Sequence, residues 1–364
     1  MIRSLAPLLS AALLLAGPCS FAESCTTQSA LPPADRTALA EAARALAAAV
    51  QSNDVATLRA SSTPDLQKNF GGLQYLVAVT SPKLAGGAPQ VEQLYVLDAS
   101  SLKPAADGST PQAQFFCTLN NSVGEAQFAI AGLTAGRYAF AMVTVPARPS
   151  PWRLSMLLRQ QAPGSQARWL LAGIYPKPLT LAGHDGLWFW TEARRYTQRK
   201  QPWNAWLFYQ TALTLLRPAD FVLSTHLDKL QTEASAASPP ALSEGISAQT
   251  PLVLRSAAPP STPPAQRPPA TQPTTTTGAA PDLRFTGLAL AEPAPGAAVP
   301  LLSIHLQAEP LADPAAARQR SLQAVRTLFA AYPELRAPFQ SVTVVADTPG
   351  QTPLTTEIPI AELR

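Results

Sequence analysis

The chain has 364 residues, enough for two or three domains, and a formal net charge of +4. So mild an excess offers no electrostatic case for a nucleic-acid partner. The anomaly is proline: there are 38, many of them between residues 238 and 300.

The opening MIRSLAPLLSAALLLAGPCSFAESC places Arg3 before an apolar run from Leu5 to Ala16 that is too short to span a bilayer. Ser20 and Ala22 then put small side chains where a signal peptidase needs them. This predicts a signal peptide over 1–22, cleavage after Ala22, and a secreted or periplasmic mature chain. An uncleaved anchor would need a stop-transfer pattern, and none follows. A lipoprotein acylated at Cys19 would want a small residue before that cysteine, where Pro18 stands. Of three cysteines, export removes Cys19 and leaves Cys25 and Cys117. An even pair in an oxidising compartment predicts a disulfide; the rival is two buried thiols. No CxxC occurs, so no thioredoxin motif or zinc knuckle is available, and no metal or cofactor is expected.

The first mature domain is expected over 23–182 and begins helical. DRTALAEAARALAAAVQSND (35–54) places Leu39, Ala43, Leu46 and Val50 on one stripe, with Asp35 as N-cap. VATLRASS starts a second, short helix. Six strands follow at 92–100, 113–119, 126–133, 137–145, 152–160 and 167–175, separated by the turn signals NNSVG, TAG and APGS. They predict a mainly antiparallel sheet joined by hairpins, and so an α+β class with helices packed on a curved antiparallel sheet.

Residues of about 35–178 resemble the NTF2-like fold. The likeness rests on AEAARALAAAVQSNDVATLRA and on the closing strands PWRLSMLLRQQ and RWLLAGIYPKP. It implies helices lying in the concave face of the sheet, around a conical pocket. FAIAGLTAGRYAF (128–140) is instead similar to a hairpin of transthyretin-like β-sandwich domains, and that alternative stays open.

Residues 183–237 read as a helical extension. All six tryptophans lie between Trp152 and Trp206, which suggests a packed junction between the last strands and these helices. Across about 187–218, Phe189, Ala193, Tyr196, Ala205, Tyr209 and Ala212 sit at the spacing of a tetratricopeptide repeat, and the stretch resembles one such helix hairpin. Pro202 opens its second helix. A lone unit does not build a peptide-binding superhelix. Arg194, Arg195, Arg199 and Lys200 fall on the first helix and its turn. They are either a solvated basic face or a site for an anionic partner such as a phospholipid surface.

SAAPPSTPPAQRPPATQPTTTTGAAP, within 238–283, holds a single charge, Arg267, and no aromatic, so it cannot bury a core. It reads as a proline-rich linker; docking through PPAQRPP is the rival reading. A small C-terminal domain at 284–364 follows as β-β-α-β-β. Its strands are expected at 284–292, 301–309, 341–347 and 355–363, around a helix at 313–332 capped by Asp313. One helix over an antiparallel sheet is the expected arrangement, with Pro359 holding the last strand at an edge.

Catalytic motifs are scarce. Of the three histidines, His226 reads as a surface residue and His305 as a core one. His184 and Asp185, in GHDG, form the most functional-looking loop, although Asp185 serves equally as an N-cap. The main functional expectation is an exported, non-catalytic module of the bacterial cell envelope that binds a protein or small ligand. The alternative is an NTF2-like hydrolase or isomerase using Asp98 and Glu125 inside the cone. An apolar cone filled by its own side chains favours the first; two carboxylates facing each other there favour the second.

Overall fold

The computed structural model describes residues 23–104, 108–118, 125–161, 168–255, 282–294, 297–309 and 313–363. The expected signal peptide, Cys19 and the proline run 256–281 lie outside them. The architecture is mixed α+β, with three substantial sheets.

The chain begins with β1 (Ser24–Thr27) and α1 (Pro33–Gln51). α1 starts two residues before the expected cap, with Pro33 at its first position and Asp35 inside the first turn. Its stripe is as the spacing predicts: Leu39, Ala43, Leu46 and Val50 are all buried. α2 (Val55–Ala60) is capped by Asp54, whose carboxylate accepts from the Thr57 amide at 3.0 Å. α3 (Pro64–Lys68) and α4 (Phe70–Thr80), absent from the sequence reading, complete a helical layer.

Seven strands follow: β2 (Gln90–Asp98), β3 (Ala113–Thr118), β4 (Glu125–Ile130), β5 (Arg137–Val145), β6 (Trp152–Gln161), β7 (Arg168–Pro178) and the two-residue β8 (Thr180–Leu181). They do not form the single hairpin-linked sheet expected. β1-β2-β5-β6-β7 make an antiparallel five-stranded sheet, while β3 and β4 leave it and pair with each other. β2 pairs directly with β5, Asp98 opposite Arg137, so the β3–β4 hairpin is an excursion folded over the sheet's outer face. The strict alternation of β3 gives the reason. Ala113, Phe115 and Cys117 are buried and Gln114, Phe116 and Thr118 exposed, as suits a two-faced strand with one face on a core. The TAG turn therefore joins two sheets. There the Tyr138 hydroxyl donates to the Thr134 carbonyl at 2.9 Å. A disulfide between Cys25 of β1 and Cys117 of β3 links the two sheets.

The helices cover one face of the five-stranded sheet, and their core is closed by Leu46, Val77, Val96, Ala141, Leu154 and Met156 among others. The opposite face meets the β3–β4 hairpin through a second core rich in aromatic rings.

β9 (His184–Asp185) leads into the hairpin of α5 (Gly186–Gln198) and α6 (Pro202–Leu216). Phe189, Ala193, Ala205, Tyr209 and Ala212 are buried along it, and Tyr196 is half-buried. Trp203 is buried as core and Trp206 half-buried. The tryptophans do not share one junction: Trp152 and Trp169 belong to the helix-covered face of the first sheet, and the other four to the α5–α6 core. After α6 the chain returns to the first unit as β10 (Val222–Ser224), which pairs with β4, and then enters α7 (Thr225–Ala236).

The helical hairpin shares its core with the C-terminal sheet. That sheet runs β11 (Leu252–Arg255), β12 (Asp282–Ala291), β13 (Leu301–Gln307), β14 (Ser341–Asp347), β15 (Leu354–Pro359). The four expected strands are present, and α8 (Pro314–Ala331) has Asp313 as its cap. Two expectations need correction. The sheet is mixed, because α8 connects neighbouring strands β13 and β14 as a crossover and makes that pair parallel. And the span 238–283 is not all linker. Within it, Leu252–Arg255 is an edge strand on β12, with Arg255 directly opposite Asp282. The two ends of the proline run therefore meet in one sheet, so the run connects two paired strands rather than two separate bodies. Two carboxylates fasten this unit further. Glu334 accepts from the Trp203 amide at the start of α6 at 2.7 Å, and Glu292 from the Ala182 amide at 3.0 Å.

Candidate functional site

Where β10 crosses from the helices to the outer sheet, a cavity of about 380 Å³ remains. Its floor is the outer face of the first sheet and the β3–β4 hairpin: Tyr95, Phe140, Met142, Ala126 and Phe128. Its roof is helical: Leu187 and Trp190 of α5, Leu216 of α6, Leu227 and Leu230 of α7. Pro218, Val222, Leu223, Ser224 and His226 form the rim. The volume falls within the range of small-molecule sites, and among the described residues no Asp, Glu, Lys or Arg lines it.

The floor is rigid for a physical reason. Tyr95–Phe128, Phe128–Phe140 and Phe140–Phe221 meet edge to face, with ring centres 5.1, 5.2 and 5.6 Å apart. Such T-shaped contacts fix each ring by its neighbour's quadrupole and resist the collapse that aliphatic chains would allow. The roof is held by one carboxylate. Glu233 Oε2 accepts from Trp190 Nε1 at 2.7 Å, while Arg194 donates to both of its oxygens at 2.7 and 2.8 Å. The Tyr209 hydroxyl adds a longer bond of 3.3 Å. These donors, the Arg194 guanidinium first, hold the Glu233 carboxyl down at about 2. The guanidinium also lies 4.5 Å from the Trp190 ring centre. Trp190 thus presents one fixed edge of its indole to the cavity.

Three polar groups reach the cavity. Ser224 is the N-cap of α7, its hydroxyl oxygen accepting from the Leu227 amide at 3.2 Å. His226 is exposed at the rim. Tyr95 is only 5 % exposed, yet its hydroxyl has no hydrogen-bond partner among the described residues. Burial pushes its pKa up, so the phenol stays neutral.

The residues singled out from sequence lie elsewhere. Arg194 is paired with Glu233 and Arg195 with Glu192. Arg199 sits 6.0 Å from the Tyr196 ring centre, and Lys200 follows in the left-handed turn with φ 57°. The four are therefore not one free basic face. His184 stacks flat on Trp188 at 3.8 Å, and Asp185 caps α5 by accepting from the Trp188 amide at 2.8 Å. Asp98 ends β2 and accepts from the Ser100 amide at 2.9 Å; Glu125 begins β4, in the other sheet. The helix-covered face of the first sheet carries a core made of the chain's own side chains. His305 is no core histidine: its side chain is 45 % exposed and its Nδ1 lies 3.1 Å from Asp347. Among the described residues, no three His, Cys, Asp or Glu side chains are grouped to hold a metal, and no helix is long and apolar enough to cross a membrane.

The cavity residues themselves escaped the sequence reading. Tyr95 sits in the expected strand 92–100 and Glu233 in the helical extension 183–237, and neither carries a motif of its own. The one available signal was the placement of Tyr95 between Leu94 and Val96, on the face that alternates away from the helices. No family model, curated protein or solved structure matches the chain.

Proposed function

We propose that this is an exported, non-catalytic binding protein of the bacterial cell envelope that holds a small apolar ligand between the outer sheet and α5–α7. The observation that carries the reading is the apolar cavity walled by Phe128, Phe140, Trp190 and Leu227. A void lined by such groups forfeits dispersion contacts and destabilises the fold, and an apolar occupant restores them. The Cys25–Cys117 disulfide and the sequence signature of 1–22 support the exported setting. Asp98 is already engaged by the Ser100 amide at the end of β2, and Glu125 begins a strand of the other sheet.

The test is a fluorescence titration with the neutral probe N-phenyl-1-naphthylamine. Saturable one-to-one binding is expected, weakened at least about tenfold in Met142→Trp, which fills the cavity from its floor. Binding that never saturates, or that Met142→Trp leaves unchanged, would sink the reading.

A further inference from the structure

We infer that the ligand is a neutral molecule with an apolar body and a single oxygen acceptor that takes a hydrogen bond from the Tyr95 hydroxyl, and that anionic amphiphiles are excluded. This rests on the cavity reading above and narrows it to a ligand class.

Tyrosine is suited to burial only when its hydroxyl finds a partner. Buried hydroxyls in folded chains are satisfied in the great majority of cases. Tyr95 is 5 % exposed, lines the cavity, and has no partner among the described residues. Its ring is held by Phe128 at 5.1 Å, so it does not swing away to solvent. The hydroxyl is not one of the sealed polar atoms left without a partner, so it stays open to an acceptor from outside the protein. Ser224 is instead engaged as the cap of α7, its oxygen receiving the Leu227 amide.

Charge decides the rest of the ligand. Among the described residues, no Lys or Arg lines the cavity. Arg194, the cation nearest to Trp190, is already neutralised by Glu233. The one basic side chain among the described lining residues, His226, is exposed at the rim, so a carboxylate drawn down to the floor beside Tyr95 would lose its hydration without gaining a counter-ion there. A ketone, ester, ether or alcohol oxygen loses far less and gains the Tyr95 bond. High pKa keeps that phenol a donor across the physiological range.

The experiment uses the mature protein with N-phenyl-1-naphthylamine as reporter and three competitors on the same carbon frame: pentylbenzene, 1-phenylpentan-1-one and 5-phenylpentanoate. Tyr95→Phe removes the hydroxyl and keeps the ring. The ketone should weaken about three- to tenfold in Tyr95→Phe, the worth of one neutral hydrogen bond. Pentylbenzene should compete equally, within about twofold, in both proteins, which also shows that the variant cavity is intact. The carboxylate should bind at least about tenfold more weakly than the ketone in either. Ketone affinity unchanged by Tyr95→Phe, with the probe and pentylbenzene still binding, overturns this inference and leaves the cavity reading standing. A carboxylate that binds tightest overturns it too. Failure of the probe and of all three competitors removes the cavity reading itself.

Discussion

The same strands build both faces of the five-stranded sheet, and only one face is closed. Toward the helices, β2, β5 and β6 present Leu94, Val96, Ala139, Ala141, Val143, Leu154 and Met156. Those small and aliphatic side chains meet an alanine-rich α1, whose Ala43 and Ala47 are fully buried against them. On the outer face the same strands present Tyr95, Tyr138, Phe140 and Met142, and they meet a β-hairpin and three helices at once. Planar rings locked edge to face cannot fill a corner between three elements as flexible chains do. The lesson is that one strand period encodes two functions. In each strand one alternate set of positions makes the fold and the other makes the site.

The sharpest way to break that contrast is to truncate one residue on each face. Leu154 is fully buried in the closed core, so Leu154→Ala should cost about 2–5 kcal/mol in a urea titration. Met142 borders the cavity, and Met142→Ala should cost about 1 kcal/mol or less, since the lost methylenes already face empty space. Equal losses at the two positions would mean that the outer face is packed as tightly as the inner one.

The disulfide sharpens the contrast next. Cys25 and Cys117 are separated by 92 positions and join the two sheets on the outer side. Replacing both by alanine should cost about 2–4 kcal/mol, mostly through the freed unfolded chain. Amide exchange should speed up in β3 and β4 before it does in β6. Uniform acceleration across both sheets would show that the bridge does not serve the outer layer in particular.

What was legible in the sequence divides along the same line. The α1 stripe, the β-rich middle, the α5–α6 hairpin, α8 and the cysteine pair all announce themselves through period, caps or parity. These signals are local, or depend on one face being apolar. α4 was missed because Gly71, Gly72 and three β-branched residues in FGGLQYLVAVT mask a helical period, while Tyr75 stays exposed on its outer side. The departure of β3 and β4 into a second sheet depends on which strand β5 chooses as its neighbour, and no local pattern carries that choice. β11 was lost among prolines, because a four-residue strand gains its meaning only from β12, which lies beyond the proline run. The cavity was invisible for the same reason: its walls come from β2, β4, β5, α5, α6 and α7, and no short motif holds them together. By contrast, the capping role of Asp185 is a local matter and was readable in GHDG.

A smaller effect tests how the roof is held. Glu233 is depressed to about 2 in the folded chain, so its ion pair stabilises fully above the ordinary carboxylate range. That contribution should fade as pH falls from about 4.5 toward 2, where the folded carboxyl finally takes a proton. Because the pair is partly open to solvent, Glu233→Gln should cost only about 1–2 kcal/mol at pH 7. The near-ultraviolet signal of Trp190 should change across the acid window in the parent protein and not in Glu233→Gln. Glu334, pushed up by burial, works in the opposite sense, so the difference between the two proteins is the quantity to measure. An identical acid response in both would show that Glu233 does not set the position of Trp190.

The smallest expected effect carries the contrast beyond the sheet to the second half of the chain. If residues 256–281 joined two separate bodies, cutting there would let them part. Arg255 and Asp282 are instead direct partners across β11 and β12, with an ion pair at 4.0 Å. Beyond the cut, Phe285, Ile304 and Val344 share one core with Phe208 and Leu213 of α6. Glu334 and Glu292 add bonds to the Trp203 and Ala182 amides. A site-specific protease sequence placed at Arg267 should therefore be cleaved with little consequence. The two pieces should elute together on a sizing column under native conditions and part only in denaturant. The cut frees loop ends that the sheet already holds together, so the native fold should stay intact while its stability becomes dependent on protein concentration. Pieces that separate in native buffer would make the proline run a true linker and would detach α5–α7 from the C-terminal sheet, taking with them the support on which the cavity roof depends.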